Sequence, residues 1–438
     1  MSKPLQVIVI GLGSAGDVHP NVGLALALRQ RGHEVLLVAP SVFRSLGERT
    51  GVRFAALLGD DEYQAAIRDP NLWHPFRSFS VIARRLILPT LRPVYEIIEK
   101  HRQPGRTVVA APGFAFGARI AQEKLGVPLA TVHLQPIMFR SAIQPGCFGF
   151  PDILGRLPYP LRRLYLRAAD RILIDPLVAD ETNGFRRELG LPPVCRFFNG
   201  WVQSPQLVIG LFPNWFASPA PDWPSNVALT GFPLWDESTL RNLSPELAEF
   251  LAAGPPPIVF TAGTAMVQAR RFFQVSAEVC RITGRRAVFL TQFPEQLPMP
   301  LPSGSCHYDY VPFSAVLPQT ALLVHHGGIG TTAQAIAAGI PQLVVPSTHD
   351  QPDNAARVRR LGVGDFLLPG AYTPANVEKS LHRLMSPDIG ENCQRGAKDL
   401  ATSHSLEKAS LLIEELSMQH TDRREQQPNT QDATYPIR

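Results

Sequence analysis

Apolar and polar positions along the chain fall into two series of short apolar runs alternating with amphipathic stretches. In the first series Val7, Val9 and their isoleucine neighbours, bounded by Gly11, predict a buried strand. Val22, Leu24, Leu26 and Leu28 then mark a helix that stops at Gly32. Pro20 places its start near residue 20, because proline favours the first helical position and biases the residue before it away from helix. EVLLVAP (34–40), VRFAAL, TVVAAP and PLATVHLQP read as further strands. Between them lie helical patterns near 41–50, in the arginine-bearing segment 77–101 and at GARIAQEKLG. A proline-rich region, 204–257, separates this series from a second one that opens with PIVFTAGT. That series continues through RRAVFLTQ, HYDYVPF, ALLVHHGGIGTTAQAIAAG and PQLVVPSTHDQ, with a helix starting near Asp353. Two such alternations predict an α/β protein of two units, each with a parallel sheet.

The units are expected over residues 1–212 and 257–403, with a hinge region at 213–256 and a last helix at 404–418. The polar stretch 419–438 has no apolar period and is expected to be disordered. A length of 438 residues exceeds one ordinary core and agrees with two domains. The formal net charge of +5 is too small and too scattered to point to nucleic acid. Five cysteines without C-x-x-C spacing suggest neither a disulfide framework nor a zinc site, and fit a reducing cytosol. The start reads as a first strand, not a signal peptide, and no run of about twenty apolar residues could span a bilayer.

GLGSAG, at residues 11–16, matches the glycine fingerprint of dinucleotide-binding folds, which makes a nicotinamide or flavin oxidoreductase a reading to weigh. Two demands of that fingerprint fail. A helix starting at Pro20 leaves the carboxylate of Asp17 in the loop where a pyrophosphate would sit, and the next strand ends in Ala39, Pro40 and Ser41 without a ribose-binding acid.

The second unit carries the sharper chemistry. A buried strand delivers His325 and His326, and Gly327, Gly328 and Gly330 then clear side chains from the start of a helix. Bare N–H groups and a helix dipole at such a turn suit an anion. Thr331 and Thr332 add hydroxyls. On the next strand end, Asp350 and Gln351 are suited to vicinal sugar hydroxyls, or else to capping a helix, as Asp353 also is. An anion turn beside a hydroxyl-reading pair describes a nucleotide-sugar site.

HHGGIGT, the following HDQ and the N-terminal GSAGDVHP together resemble the glycosyltransferase family 1 pattern over nearly the whole chain, to about residue 418. DPNLWHP, RPVYEII, SPQLVIGLFPNWFASPAPDWP and TGFPLWD are similar to the rhamnolipid rhamnosyltransferase branch of that family. The resemblance implies the GT-B fold, two Rossmann-like domains facing a cleft. It implies that His325 contacts the donor diphosphate, held by the turn of Gly327, Gly328, Gly330 and Thr331, with Thr264 approaching from the first strand of the second domain. Ser14 falls among the donor-binding positions, Val311 meets the base through its backbone, and Asp350 and Gln351 read sugar hydroxyls. Asp17 is then the general base of an inverting transfer, with His19 its rival and helix capping its alternative role. No cofactor and no metal are expected. The donors implied are dTDP-rhamnose or a UDP-sugar, and the acceptor a hydrophobic, lipid-like alcohol such as a 3-hydroxyalkanoyloxy-alkanoate. A UDP-glucose-dependent enzyme acting on a sterol or terpenoid is the alternative, and a non-catalytic helper subunit the reading from another class. Arginines among leucines over 155–174 read either as a solvated face or as a basic amphipathic helix touching anionic lipid, which would place the protein in the cytoplasm at the inner membrane surface.

Overall fold

The computed structural model describes residues 4–425. Seven parallel strands form the first sheet: β1 (Gln6–Ile10), β2 (Glu34–Ala39), β3 (Arg53–Ala56), β4 (Thr107–Ala111), β5 (Leu129–His133), β6 (Leu207–Gly210) and β7 (Val227–Leu229). Six form the second: β8 (Ile258–Thr261), β9 (Ala287–Leu290), β10 (Ser305–Tyr308), β11 (Leu322–His325), β12 (Gln342–Val344) and β13 (Gly364–Phe366). The orders are β3-β2-β1-β4-β5-β6-β7 and β10-β9-β8-β11-β12-β13, so each sheet is wound both ways from its first strand.

β1 is apolar without alternation because both its faces are covered. Val7 and Val9 enter one core, Ile8 and Ile10 another, and the register Val7↔Val35 fixes which goes where. The helices around these sheets include α1 (Ala15–Gln30), α2 (Asp60–Ile67), α3 (Tyr159–Ala169), α4 (Ile329–Ala337), α5 (Gln351–Leu361) and α6 (Ser405–Glu425). Apolar residues of α1 (Val18, Val22) and of α4 (Ile329, Ala333, Ile336) share one buried cluster. That cluster joins the two lobes.

Four expectations change. α1 starts at Ala15, with Pro20 inside it. Ser14 and Asp17 form a capping box there, and this local satisfaction of orphan N–H groups outweighs the preference of proline for a first turn. The helix therefore does begin next to the glycines. The proline-rich region is not hinge throughout, since β7 is the edge strand of the first sheet. The last helix runs past 418 to Glu425 and returns to the first lobe, where Glu414 meets Arg31 at 2.6 Å and His33 at 2.8 Å. The remainder of the tail, 426–438, lies outside the described residues. Finally, α5 begins at Gln351, ahead of Asp353.

Candidate active site

β8 and β11 lie side by side at the point where the second sheet changes winding direction, the place where open α/β sheets bind ligands. After β11 the chain turns through Gly327 at φ +96°, where a Cβ would stand 2.7 Å from Val344, and enters α4 at Gly328. Gly328 and Gly263 make room for a ring. A Cβ on Gly328 would lie 2.5 Å from Nε2 of His326, and one on Gly263 would lie 2.8 Å from the same imidazole. Gly330 differs, for a Cβ there meets nothing within 4 Å. Open space thus fronts the first turn of α4, whose N–H groups at Gly330 and Thr331 have no intrahelical acceptor. Thr331 and Thr264 are both half-buried, and neither hydroxyl makes a hydrogen bond among the described residues.

The two adjacent histidines differ in their surroundings. His325 is fully buried; its Nε2 lies 2.9 Å from Oε1 of Gln342 and its Nδ1 accepts from the Gly327 N–H at 3.1 Å. Both nitrogens are spoken for. Nδ1 of His326 is instead buried without a partner. His325 ends β11 and His326 is the first residue beyond it, with the two rings 6.1 Å apart and nearly perpendicular. Burial lowers the pKa of both, His325 to about 3 and His326 to about 4, which leaves both rings neutral at pH 7. Gly327 shapes the turn without offering it donors: its N–H goes to His325 and its carbonyl accepts from Asn354 at 2.9 Å.

Asn354 also donates to Oδ2 of Asp350 at 2.7 Å, tying the loop before α5 to the turn before α4. Asp350 accepts from the Ile329 N–H as well. Burial, reinforced by the charge of Asp17, pushes Asp350 up to about 7 against these hydrogen bonds. Gln351 spends its Oε1 on the N–H groups of Ser347 (2.8 Å) and Thr348 (3.4 Å), so it first holds the loop. Asp353 does not cap; it pairs with Arg357 at 2.8 Å and accepts from the Cys147 N–H at 3.0 Å. Val311 is buried, and its backbone groups make no hydrogen bond among the described residues.

Across the cleft, the N–H and hydroxyl of Ser14 both donate to Oδ2 of Asp17, at 2.9 and 3.1 Å. Ser14 is committed to the carboxylate. The Gln135 side chain, just beyond β5, also hydrogen-bonds it. Burial outweighs these bonds and raises Asp17 above the usual carboxylate range, while Tyr63 on α2 is raised by burial and by the Asp17 charge. The charge of Asp17 thus acts on Asp350 of the second lobe and on the Tyr63 phenol of the first. The helix-capping role and the site role coexist in one side chain. His19, two residues along α1, points elsewhere. Its ring lies 3.6 Å from Glu237 and edge-on to Trp235 and Tyr310, in a cluster where Glu237 also holds Arg49 at 2.7 Å. Burial lowers its pKa despite Glu237 and Asp236. The sequence pattern does not single out His326, Gln135 and Tyr63 for these places. Nor does it mark Trp73, which leaves the first lobe to join the core of the second, 5.3 Å from His349, with its Nε1 buried and unpartnered. Strand-end position is the available signal for Gln135; nothing local marks Tyr63 or Trp73.

Residues 7–143 match the family described as the glycosyltransferase family 28 N-terminal domain, and residues 288–410 the erythromycin biosynthesis protein CIII-like C-terminal domain. O-mycaminosyltylonolide 6-deoxyallosyltransferase of Streptomyces fradiae is 31% identical, with 94% of this chain and 97% of that one aligned. The chain is a glycosyltransferase of this family. Vancomycin aglycone glucosyltransferase of Amycolatopsis orientalis is 28% identical over 94% of this chain and 98% of its own. Among solved structures, the glycosyltransferase of kitacinnamycin superposes with a TM-score of 0.74 at 18% identity, over 95% of this chain and 100% of that one. VinC in complex with dTDP superposes with a TM-score of 0.68 at 21% identity, over the same shares. The glycosyltransferase therefore has the GT-B fold, and the oxidoreductase reading of GLGSAG is overturned. Its specific likeness to rhamnolipid rhamnosyltransferases is not among the features these relatives establish. No helix among the described residues is long and apolar enough to cross a membrane.

Proposed function

We propose that this glycosyltransferase inverts the anomeric centre of a nucleoside diphosphate sugar, moving the sugar to a hydroxyl of an apolar acceptor. One observation carries the reading: the charge of Asp17 on the first lobe acts on Asp350 of the second, and Asn354 ties Asp350 to the turn that holds the unpartnered His326. The diphosphate rests on the N–H groups of Gly330 and Thr331 and the Thr331 hydroxyl, with His326 Nδ1 or Nε2 against a phosphate oxygen and Thr264 beside it. This charge-matched seat stabilises the leaving group. Asp350, held near neutrality between its two protonation states, reads sugar hydroxyls together with Gln351. Asp17, made more basic by burial, takes the acceptor proton as the hydroxyl attacks in line. Gln135 and Ser14 orient its carboxylate. Base recognition falls to the free backbone of Val311.

For the donor we propose dTDP-L-rhamnose, and for the acceptor a 3-hydroxyalkanoyloxy-alkanoate. The stretches DPNLWHP, RPVYEII and TGFPLWD support this, and a dTDP complex of a protein with the same fold is in keeping with it. Incubating the purified protein with dTDP-rhamnose and that lipid should give a monorhamnosylated product by mass spectrometry. Product from UDP-glucose and a sterol or macrolide in its place would overturn the specificity and leave the transferase chemistry standing.

A further inference from the structure

The segment that leaves Asp17 at Gln135 crosses to the second lobe, where Phe150 stacks on Phe366 at 4.2 Å, and then forms a turn, Ile153–Arg156, followed by α3 and its continuation to Ile174. This helical arm is built outward. Inward it contributes Leu154 and Leu166, which with Ala142 make a cluster of three buried residues, with Leu157 packed against it and Ile174 against the first-lobe core. Outward it shows Ile153, Leu161, Leu164, Tyr165, Ile172 and Leu173, with Ile172 68% and Leu164 63% exposed. Surface helices ordinarily bury such residues. Arg156, Arg163, Arg167 and Arg171 are exposed among them. The acid within the arm, Asp170, is buried and paired with Arg140 at 2.6 Å, so it offsets none of that charge. Arg162 is turned inward onto the carbonyls of Leu157 and Gly155.

We propose that this arm lies on an anionic lipid surface, with its leucines and isoleucines at the headgroup–acyl boundary and its four exposed arginines on lipid phosphates. The charge decides the occupant. Arginine and apolar side chains interleave across the whole face with no exposed acid within the arm, which suits anionic headgroups with acyl chains beneath them. The docking rests on the arm alone. Its purpose rests on the apolar-acceptor reading above: the segment that carries the arm starts at Gln135, which hydrogen-bonds Asp17, so one stretch of chain joins the arm to the base.

Cosedimentation of the full chain with vesicles tests this. Vesicles of phosphatidylglycerol and phosphatidylethanolamine should carry the protein down at low salt, and phosphatidylcholine vesicles should not. The variants Leu164→Glu with Ile172→Glu, and Arg163→Gln with Arg167→Gln and Arg171→Gln, should each weaken binding at least tenfold while melting temperature and dTDP affinity stay unchanged. Three results would overturn the proposal: no binding to anionic vesicles, equal binding by both variants, or a wild-type dimer in light scattering that the Leu164 and Ile172 substitutions dissociate. Loss of turnover with every sugar nucleotide, with vesicle binding intact, would instead count against the transferase reading and leave the docking in place.

Discussion

The turn after β1 and the turn after β11 are built alike, each a glycine-rich exit from a central strand into a helix at the cleft, yet they end in opposite chemistry. In the first lobe the chain supplies its own anion. Asp17 accepts the Ser14 N–H and hydroxyl, so the donors that would greet a phosphate are spent on a carboxylate. In the second lobe Gly330 faces open space, and the ring beside it keeps a nitrogen without a partner. On the proposed function, one turn presents a base and the other receives an anion. A glycine spacing alone does not reveal which; the residue three beyond the helix cap does.

The sharpest way to break this contrast is to remove the charge from the first turn. Asp17→Asn preserves the cap geometry and should lower kcat by roughly 10³-fold, within the range for a general base, with dTDP affinity retained in calorimetry. Comparable turnover in that variant would transfer the base role to another group, His19 being the obvious one. On the second turn the two histidines should separate. His326→Ala is expected to weaken dTDP binding roughly 10- to 100-fold, the loss of a charge-assisted hydrogen bond, without lowering the melting temperature. His325→Ala should do the reverse: it strands Gln342 and the Gly327 N–H in the core, a cost of about 1–3 kcal/mol that appears as a lower melting temperature.

A smaller effect is expected from the pH dependence of the facing carboxylates. Asp350 holds its proton up to about pH 7 in the folded state but releases it near pH 4 when unfolded. Its contribution to stability is therefore complete below pH 4 and disappears as pH rises through 7. Asp350→Asn should raise the melting temperature at pH 8 by about 2–4 °C relative to the wild type, with the gain shrinking toward pH 5. Smallest of all, Gly330→Ala has room in the fold and should leave the melting temperature unchanged while raising the dTDP dissociation constant a few-fold, by crowding the space before α4.

Much of the fold is legible in the amino-acid sequence because parallel strands buried on both faces announce themselves as apolar runs, as Val7 and its neighbours and Leu322 to Val324 do. The proline-flanked β7 and three-residue β13 carry too little pattern to read. Pro20 misplaces the start of α1, because its preference for a first turn is weaker than the capping box of Ser14 and Asp17. Asp17, Asp350 and the glycine turn are visible as chemistry at strand ends. Which of two adjacent histidines keeps a free ring nitrogen depends on its tertiary surroundings, and side chains brought in from distant parts of the chain, such as Tyr63 on α2 and Trp73, depend on packing that no local spacing encodes.

A crystal structure of the enzyme with bound dTDP examines the contrast between the turns most directly. The β-phosphate should lie within hydrogen-bonding distance of the His326 ring and the Thr331 N–H, with the Asp17 carboxylate across the cleft from it. A diphosphate seated instead on the turn from Gly11 to Ser14, with His326 uninvolved, would contradict the account.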